Sequence, residues 1–381
     1  MTGDAAAQRL ARAALTYLAE PGDQLLGTLL RNREPAEVVA AITAGPPPAP
    51  PDGISARAFG RAVKRWAARA GNLPEAADLA AWRNRDIRLL CPGDAEWPTQ
   101  LESLGDAGPY ALWLRGGADL RFSCLRSVSL VGSRAATAYG SHVATGMAAA
   151  LGERGWTTVS GGAYGIDGSA HRGALAAEGL TIAVLACGVD RSYPAGHAAL
   201  FDAITARGAL VSEWPPGTMP TRHGFLVRNR VIAALTRGTV VIEASLRSGA
   251  LSTARHARDL CRQLMAVPGP VTSAASAGCH EIIREWGAIC VTDAGDVLDQ
   301  VAMTGDFFSE RRRGPVLPLD ELDPLTSRVL EAVPARAGLS TAEIAIAAGV
   351  DTDTAICCLG VLAAGGYVDR HDRGWRIRRT C

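Results

Sequence analysis

The chain has 381 residues, of which 48% are hydrophobic and 20% are charged, a globular composition that excludes a largely disordered protein. Its 39 basic and 38 acidic residues give a formal charge of +1, so overall charge indicates neither nucleic acid nor a membrane as a partner. No uncharged apolar run reaches the ~18 residues of a membrane span, and the N-terminus lacks the pattern of a signal peptide. We therefore expect a cytoplasmic protein of two or three domains.

Residues 1–82 are rich in Ala, Leu and Arg at helical spacing, as in Leu10, Ala14 and Leu18, and predict a small all-helical domain. Residues 45–53 contain five prolines and predict an exposed loop between helices. The nine cysteines form no CxxC pair, which suits free thiols better than a zinc site or disulfides. We expect no bound metal.

Residues 83–303 show short apolar runs that alternate with helical segments. Runs without polar alternation are typical of strands buried on both faces of a parallel sheet. The predicted strands are 127–131, 157–160, 181–186, 209–211, 240–242 and 264–267, and the predicted helices are 141–154, 167–178, 196–207, 225–235 and 250–262. The pattern predicts a doubly wound, mainly parallel α/β sheet whose ligand lies beyond the carboxyl ends of the strands.

Residues 304–320 contain three consecutive arginines and two prolines, and predict a linker. The remaining residues, 321–381, predict three short helices, with Ser340 and Thr341 placed to cap the second, followed by a hairpin. This order of elements is that of a winged helix, a module that usually contacts nucleic acid or protein.

Three motifs could bind phosphate. In the first, Gly132, Ser133 and Arg134 follow a buried strand and offer backbone amides, a hydroxyl and a positive charge. The alternative is an ordinary turn whose arginine faces solvent. The second is the loop of Ser160, Gly161, Gly162, Ala163, Tyr164 and Gly165, which opens a helix at its positive end.

Asp167 in that helix either caps it or holds a neighbouring basic side chain. The loop matches neither GxGxxG nor GxxxxGK[ST], so we expect no nicotinamide cofactor and no ordinary ATP hydrolysis. His171 could act as a general base, but a histidine in this position is more often packed and hydrogen-bonded. We therefore expect no cofactor and no enzyme activity.

The third motif is a cluster of eight arginines between residues 221 and 262, against Glu243 and Asp259. It includes Arg222 and the run Arg228-Asn229-Arg230, and Ser248-Gly249 begins a helix after the next strand. Converging phosphate-binding elements suit a polyanion. A solvated basic face remains the alternative.

At these residues the chain resembles the DNA-processing protein A family, DprA or Smf. The resemblance rests on Gly132-Ser133-Arg134, residues 160–167, Gly188-Val189-Asp190, Tyr193-Pro194, Ser212-Glu213, Phe225 with 228–230, Glu243-Ala244, Ser248-Gly249 with Thr253-Ala254, and Val267-Pro268-Gly269. It implies an extended Rossmann-like domain, flanked by a SAM-like or helix-hairpin-helix-like N-terminal domain and a winged helix. It further implies a non-enzymatic homodimer that binds single-stranded DNA and helps to load RecA recombinase during DNA uptake and recombination.

By this resemblance Arg134 is the principal phosphate contact, surrounded by Ser133, residues 160–165, residues 228–230, Ser248 and Gly249. The chain departs from the family at Ala195, where lysine is common, and at His197, where asparagine is common; Arg222 or Arg191 could compensate. Tyr164 is the candidate for stacking with a base.

Two other functions are weighed against this one. Nucleotide phosphoribohydrolases, which resemble this chain in using a Gly-Gly loop, carry a pair of glutamates that is missing after residue 167 here. A duplex-binding regulator needs a basic recognition helix, and residues 351–364 contain neither Arg nor Lys.

Overall fold

A computed structural model describes residues 3–45, 48–302 and 321–378 of the chain. It divides into two compact units, residues 1–309 and 310–381. Residues 46–47 of the predicted proline loop and the predicted linker 304–320 lie outside the described residues. The domain boundaries predicted at residues 82 and 303 stay predictions.

The first unit begins with five helices: α1 (Gly3–Leu18), α2 (Gln24–Leu30), α3 (Pro35–Thr43), α4 (Ala56–Ala67) and α5 (Ala76–Arg83), with a 3-10 turn at Ala70–Asn72. The apolar faces of α1 to α4 form one core around Leu15, Leu26 and Trp66, whereas Leu79 and Trp82 of α5 pack against a second core that contains Trp113. Asp23 caps α2 by accepting from the Leu25 amide, and it also accepts from the Trp66 indole N–H. This single carboxylate therefore ties the start of α2 to α4.

A nine-stranded sheet follows: β1 (Ile87–Leu90), β2 (Leu112–Arg115), β3 (Ser127–Val131), β4 (Thr157–Ser160), β5 (Thr181–Leu185), β6 (Ala209–Ser212), β7 (Gly238–Val241), β8 (Gln263–Ala266) and β9 (Ile289–Cys290). The strand order is β1-β2-β6-β5-β4-β3-β7-β8-β9. Neighbouring strands are parallel along β6-β5-β4-β3-β7-β8-β9, whereas β2 runs antiparallel to both β1 and β6. The predicted doubly wound, mainly parallel α/β sheet is confirmed.

Helices cover both faces of the sheet: α6 (Leu120–Leu125), α7 (Ala138–Glu153), α8 (Ile166–Ala176), α9 (Ala198–Arg207), α10 (Arg222–Leu235), α11 (Ala250–Asp259), α12 (Ala277–Trp286) and α13 (Ala294–Val301), with 3-10 segments at Thr99–Ala107 and Ala195–His197. The neighbours Leu130 and Val131 of β3 are both buried, yet they belong to different cores. Burial on both faces explains why the strands have no polar alternation.

The second unit contains α14 (Pro324–Ala332), α15 (Thr341–Ala348), α16 (Thr352–Ala364) and a hairpin of β10 (Val368–His371) and β11 (Gly374–Ile377). Ser340 caps α15 by accepting from the Glu343 amide, and Glu343 accepts in return from the Ser340 amide. This is the order of elements that the sequence predicts. The assignment as a winged helix stays a prediction.

Among the described helices, none alone has both the length and the apolar character to cross a bilayer, whereas α15 and α16 meet that criterion as a pair bent by 103°.

Candidate functional site

The sheet opens a cleft between β3 and β7, where the chain order reverses. From β3 the chain continues to β4, β5 and β6, whereas β7 leads to β8 and β9 on the other side. Such switch points are where open α/β sheets bind ligands. The cleft has a volume of about 650 Å³. Its lining includes Gly132, Ser133, Arg134, Ala163, Tyr193, Arg222, Phe225, Leu226, Arg228, Asn229, Ser248 and Gly249.

The loop after β3 is held on both sides. The Ser133 amide donates to the Glu243 carbonyl at 2.7 Å, and the Ser133 carbonyl accepts from the Ile166 amide at 3.1 Å. A side chain at Gly132 would lie 2.5 Å from Ile166, so glycine is required there. The buried Glu243 carboxylate accepts from the amide and the hydroxyl of Thr137, at 2.9 and 2.5 Å. This loop is therefore fixed before any ligand arrives.

Arg134 projects from that loop into an aromatic surface. Its guanidinium carbon lies 4.5 Å from the centre of the Phe225 ring, which lies 5.7 Å from the Tyr193 ring. The sequence predicted Tyr164 as the stacking residue, but the Tyr164 ring packs edge-on against His197 and is not part of the cleft lining. Phe225 and Tyr193 both lie in the family motifs, so the sequence could have indicated them as stacking residues.

The glycine loop after β4 is bonded to an internal carboxylate. The amides of Gly161 and Ala163 donate to Asp167 Oδ2, at 3.1 and 3.4 Å. Ser160 is buried and donates its hydroxyl to the Leu130 carbonyl. Of the loop residues 160–165, Ala163 alone lines the cleft, and Gly161, Gly162 and Gly165 shape the turn. Two amides predicted to bind phosphate are thus already occupied.

Arg228 is a buried structural cation. Its guanidinium donates to the carbonyls of Gly161, at 2.8 Å, and Val184, and to the Asn229 side chain at 3.2 Å. Burial lowers the pKa of Arg228 to about 10, and the Asp167 charge opposes this shift. Burial raises the pKa of the Asp167 carboxyl, which the positive charge of Arg228 in turn opposes. The pair joins α8, α10 and the glycine loop.

Arg230 lies on the other side of α10. It is 6% exposed and pairs through both terminal nitrogens with the Glu213 carboxylate, each at 2.7 Å. Gly22 in the turn between α1 and α2 lies against this guanidinium. Arg230 is not part of the cleft lining and instead joins the sheet to the N-terminal helices.

Ser248, Gly249 and Asn229 form the wall beside β7. The Asn229 amide donates to the Gly249 carbonyl at 3.3 Å, and Ser248 Oγ accepts from the Ala250 amide at 3.3 Å. These bonds fix the beginning of α11 at the edge of the cleft.

The arginine cluster seen in the sequence is distributed over several surfaces. Arg237 donates to the carbonyls of Leu125 and Val301 beyond the amino end of β7. Arg255 and Arg258 stack on Trp286. Of the eight arginines, Arg222 and Arg228 line the cleft. Among the described residues, neither Arg134 nor Arg222 forms an ion pair with a carboxylate. Their positive charges therefore face the cleft, whose lining also includes the buried Arg228 and Asp167.

His171 is packed and hydrogen-bonded. The side chain is fully buried, and Nδ1 lies 2.7 Å from the Thr181 hydroxyl. Burial lowers the pKa of His171 to about 3. His197 is also buried, with Nδ1 3.0 Å from the Gly162 carbonyl, and the exposed Ala195 is not part of the cleft lining. In the described part of the chain, no group of three or more His, Cys, Asp or Glu side chains is arranged to hold a metal ion.

A doubly wound sheet with a fixed cleft at its switch point, where two arginines present positive charge, defines a Rossmann-like protein. Comparison with known proteins specifies the family. The family model of DNA recombination-mediator protein A matches residues 88–302. The chain belongs to this family, known as DprA or Smf.

Among relatives, a putative DNA processing protein DprA from Mycobacterium tuberculosis is 42% identical over 379 residues, which cover 97% of this chain and 94% of the relative. Protein Smf from Escherichia coli is 36% identical over 78% of this chain and 82% of its own length. The X-ray structure of DprA from Streptococcus pneumoniae matches with a TM-score of 0.62 and 30% identity, over 76% of this chain and 97% of that one.

A structure of DNA processing protein A from Helicobacter pylori, described for its single-stranded DNA binding mode, matches with a TM-score of 0.50 and 27% identity. That match covers 56% of this chain and 94% of the other.

Proposed function

We propose that this protein binds single-stranded DNA in the cleft and helps to load RecA recombinase onto strands during DNA uptake and recombination, acting as a cytoplasmic homodimer without enzymatic activity. The observation that carries the proposal is Arg134, a cation without a carboxylate partner among the described residues, held over Phe225 in a preformed cleft. The family and the DNA-binding H. pylori relative support it.

Each part of the cleft suits one part of a nucleotide. Arg134 and Arg222 provide charge for phosphates, and Ser133 and the Ser248-Gly249 turn add polar groups beside them. Phe225 and Tyr193 offer ring faces to bases, whose stacking contributes roughly 1–3 kcal/mol per base whatever the sequence. We assign the glycine loop, Arg228 and Asn229 to shaping the cleft around these contacts, and Arg230 and Tyr164, which are not part of its lining, to supporting the surrounding structure.

The shape of the cleft favours a single strand. Duplex phosphates lie on the outside of a wide cylinder, so they can reach the exposed Arg134 and Arg222 but not the polar groups deeper in the cleft, such as Asn229. A single strand can enter and turn both its phosphates and its bases toward the protein. Because few aromatic residues are available, backbone contacts should dominate and affinity should fall steeply with salt.

The bonding of the glycine loop argues against nucleotide hydrolysis. In a phosphoribohydrolase such a loop holds the nucleotide phosphate, but here Asp167 occupies the amides of Gly161 and Ala163. Those two amides are therefore not available to bind a nucleotide phosphate.

The exposed face of α16 supports a protein partner for the C-terminal unit. Ile356 and Val361 are 55% and 57% exposed, and Asp353 stands at the start of the helix. An apolar and acidic face suits protein contact better than a DNA groove. RecA is the partner that we propose.

Binding is tested by fluorescence anisotropy with labelled oligo-dT and a matched duplex at two salt concentrations. We expect tighter binding to the single strand and a log–log salt slope of about −0.7 for each phosphate contacted. Equal affinity for both DNA forms would contradict the proposal. Loading is tested by RecA filament assembly on oligo-dT coated with the protein, and dimerisation by light scattering of the free protein. Release of adenine from AMP would restore the enzyme alternative.

A further inference from the structure

Helix α10 separates the DNA cleft from a second cavity. Arg222 and Phe225 line the cleft, whereas His223 and Arg230 line a cavity of about 560 Å³ between α10 and the N-terminal helices. Leu226, which is 49% exposed, lines both. A polymer that leaves the cleft over Leu226 therefore enters the second cavity directly.

The walls of this second cavity suit bases. Leu226 and the half-buried Val227 supply accessible apolar surface, the buried Leu18, Pro21 and Trp66 lie beneath it, and the imidazoles of His223 and His256 add flat rings with polar edges. Unpaired bases stack on such rings and hydrogen-bond through their exposed edges. The neighbouring cleft provides the site at which the same strand is anchored.

The mouth of the second cavity carries two arginines from the N-terminal helices. Arg65 and Arg69 have side chains that are 64% and 46% exposed, and they lie 3.6 Å from Asp23 and 2.6 Å from Glu20, respectively. Exposed ion pairs of this kind are weak, so a phosphate can take the place of Glu20, itself 52% exposed. Because the two arginines are balanced by two acids, bases rather than phosphates must contribute most of the affinity.

We propose that the second cavity binds the bases of nucleotides adjoining those held in the cleft. The N-terminal helices are then part of the path of a single strand, and α10 is the ridge that the strand crosses at Leu226. This inference rests on the proposed function, because a strand must first occupy the cleft.

The test compares oligo-dT of about 5 and about 15 nucleotides, lengths that span the range of single-strand sites. Ser252→Trp on α11 places an indole in the cavity, and the pair Arg65→Ala and Arg69→Ala removes its cationic mouth. The matched control is Arg57→Ala with Arg61→Ala, two exposed arginines of α4 that are not part of the cavity lining.

We expect Ser252→Trp to weaken binding of the long oligonucleotide about fivefold or more, the loss of one stacked base, and to leave the short one unchanged. The Arg65 and Arg69 variant should show the same dependence on length, and the control should match wild type. Long-oligonucleotide binding that is unaffected by both changes overturns the inference.

Failure of the proposed function gives a different result from failure of the second cavity. If wild type binds neither length, or binds both independently of Arg134, the cleft is not a DNA site and both proposals fall. If short-oligonucleotide binding depends on Arg134 while the cavity variants change nothing, only the second cavity is excluded.

A measurement on the unmodified protein avoids any effect of substitution on folding. Long oligonucleotides with 4-thiothymidine at successive positions are photo-cross-linked to wild type. Cross-links to residues 18–24 or 65–69 support the path, and cross-links confined to the cleft exclude it.

Discussion

Replacing Arg134 with alanine removes an exposed guanidinium from the cleft without opening the core. A hydrogen bond from a cation to phosphate contributes roughly 1.5–3 kcal/mol, so loss of Arg134 should weaken oligo-dT binding about 10-fold to 150-fold. Its contact with the Phe225 ring contributes about 0.5–1 kcal/mol within the protein, so the substitution should lower the free energy of unfolding by no more than about 1 kcal/mol. The thermal midpoint should therefore change little.

The assay is anisotropy of labelled oligo-dT over a salt series, with Arg121→Ala as control. Arg121 is an exposed arginine of α6 that is not part of the cleft lining. Loss of one phosphate contact should reduce the steepness of the log–log salt dependence by about 0.7 for Arg134→Ala and leave it unchanged for the control. An equal loss in both variants, or an unchanged slope with Arg134→Ala, would refute the assignment of Arg134 as a phosphate contact.

Three further results are expected. Arg228→Met should lower unfolding free energy by about 3–5 kcal/mol in urea titration, because it leaves the buried Asp167 carboxylate uncompensated, and adding Asp167→Asn should restore part of this loss. Stability should fall as pH drops from about 6.5 toward 3, by about 1 kcal/mol over the first unit and by nearly 1.4 kcal/mol per unit below that, because His171 takes up a proton near 6.5 only when unfolded; His171→Asn should flatten this decline. Deleting residues 321–381 should change single-strand affinity by less than about tenfold, or 1.4 kcal/mol.

Each of these has a clear contrary outcome. A stable Arg228→Met protein with loss of DNA binding would make Arg228 a ligand contact instead of a structural cation. A pH profile unaffected by His171→Asn would show that other groups govern acid stability. A deletion that abolishes oligo-dT binding would place the strand on the C-terminal unit.

The parallel strands β3 to β8 could be predicted from the sequence because they are buried in the middle of the sheet. Predicted and observed bounds agree at both ends for β3 and β4, and capping of α15 by Ser340 follows from local chemistry. Strands β1, β2 and β9 were missed. All three are short, and Arg88 interrupts β1, whereas the apolar runs 110–114 and 288–291 could have indicated β2 and β9.

The candidate site was predictable in position but not in the role of each residue. Glycine after a strand identifies the cleft, yet whether an arginine faces a ligand depends on partners far along the chain. Arg228 donates to a carbonyl 67 residues away, and Arg230 pairs with a glutamate 17 residues away. No local pattern distinguishes these buried arginines from the exposed Arg222.

Helix α10 contacts three parts of the first unit through three arginines. Arg222 lines the cleft, Arg228 bonds to the glycine loop, and Arg230 lies against the turn at Gly22. A disturbance of the N-terminal helices is therefore transmitted to the floor of the cleft through a single rigid element. Residues 3–302 should melt in one cooperative transition, and hydrogen exchange should slow together in α10 and the turn at Gly22 when a strand binds.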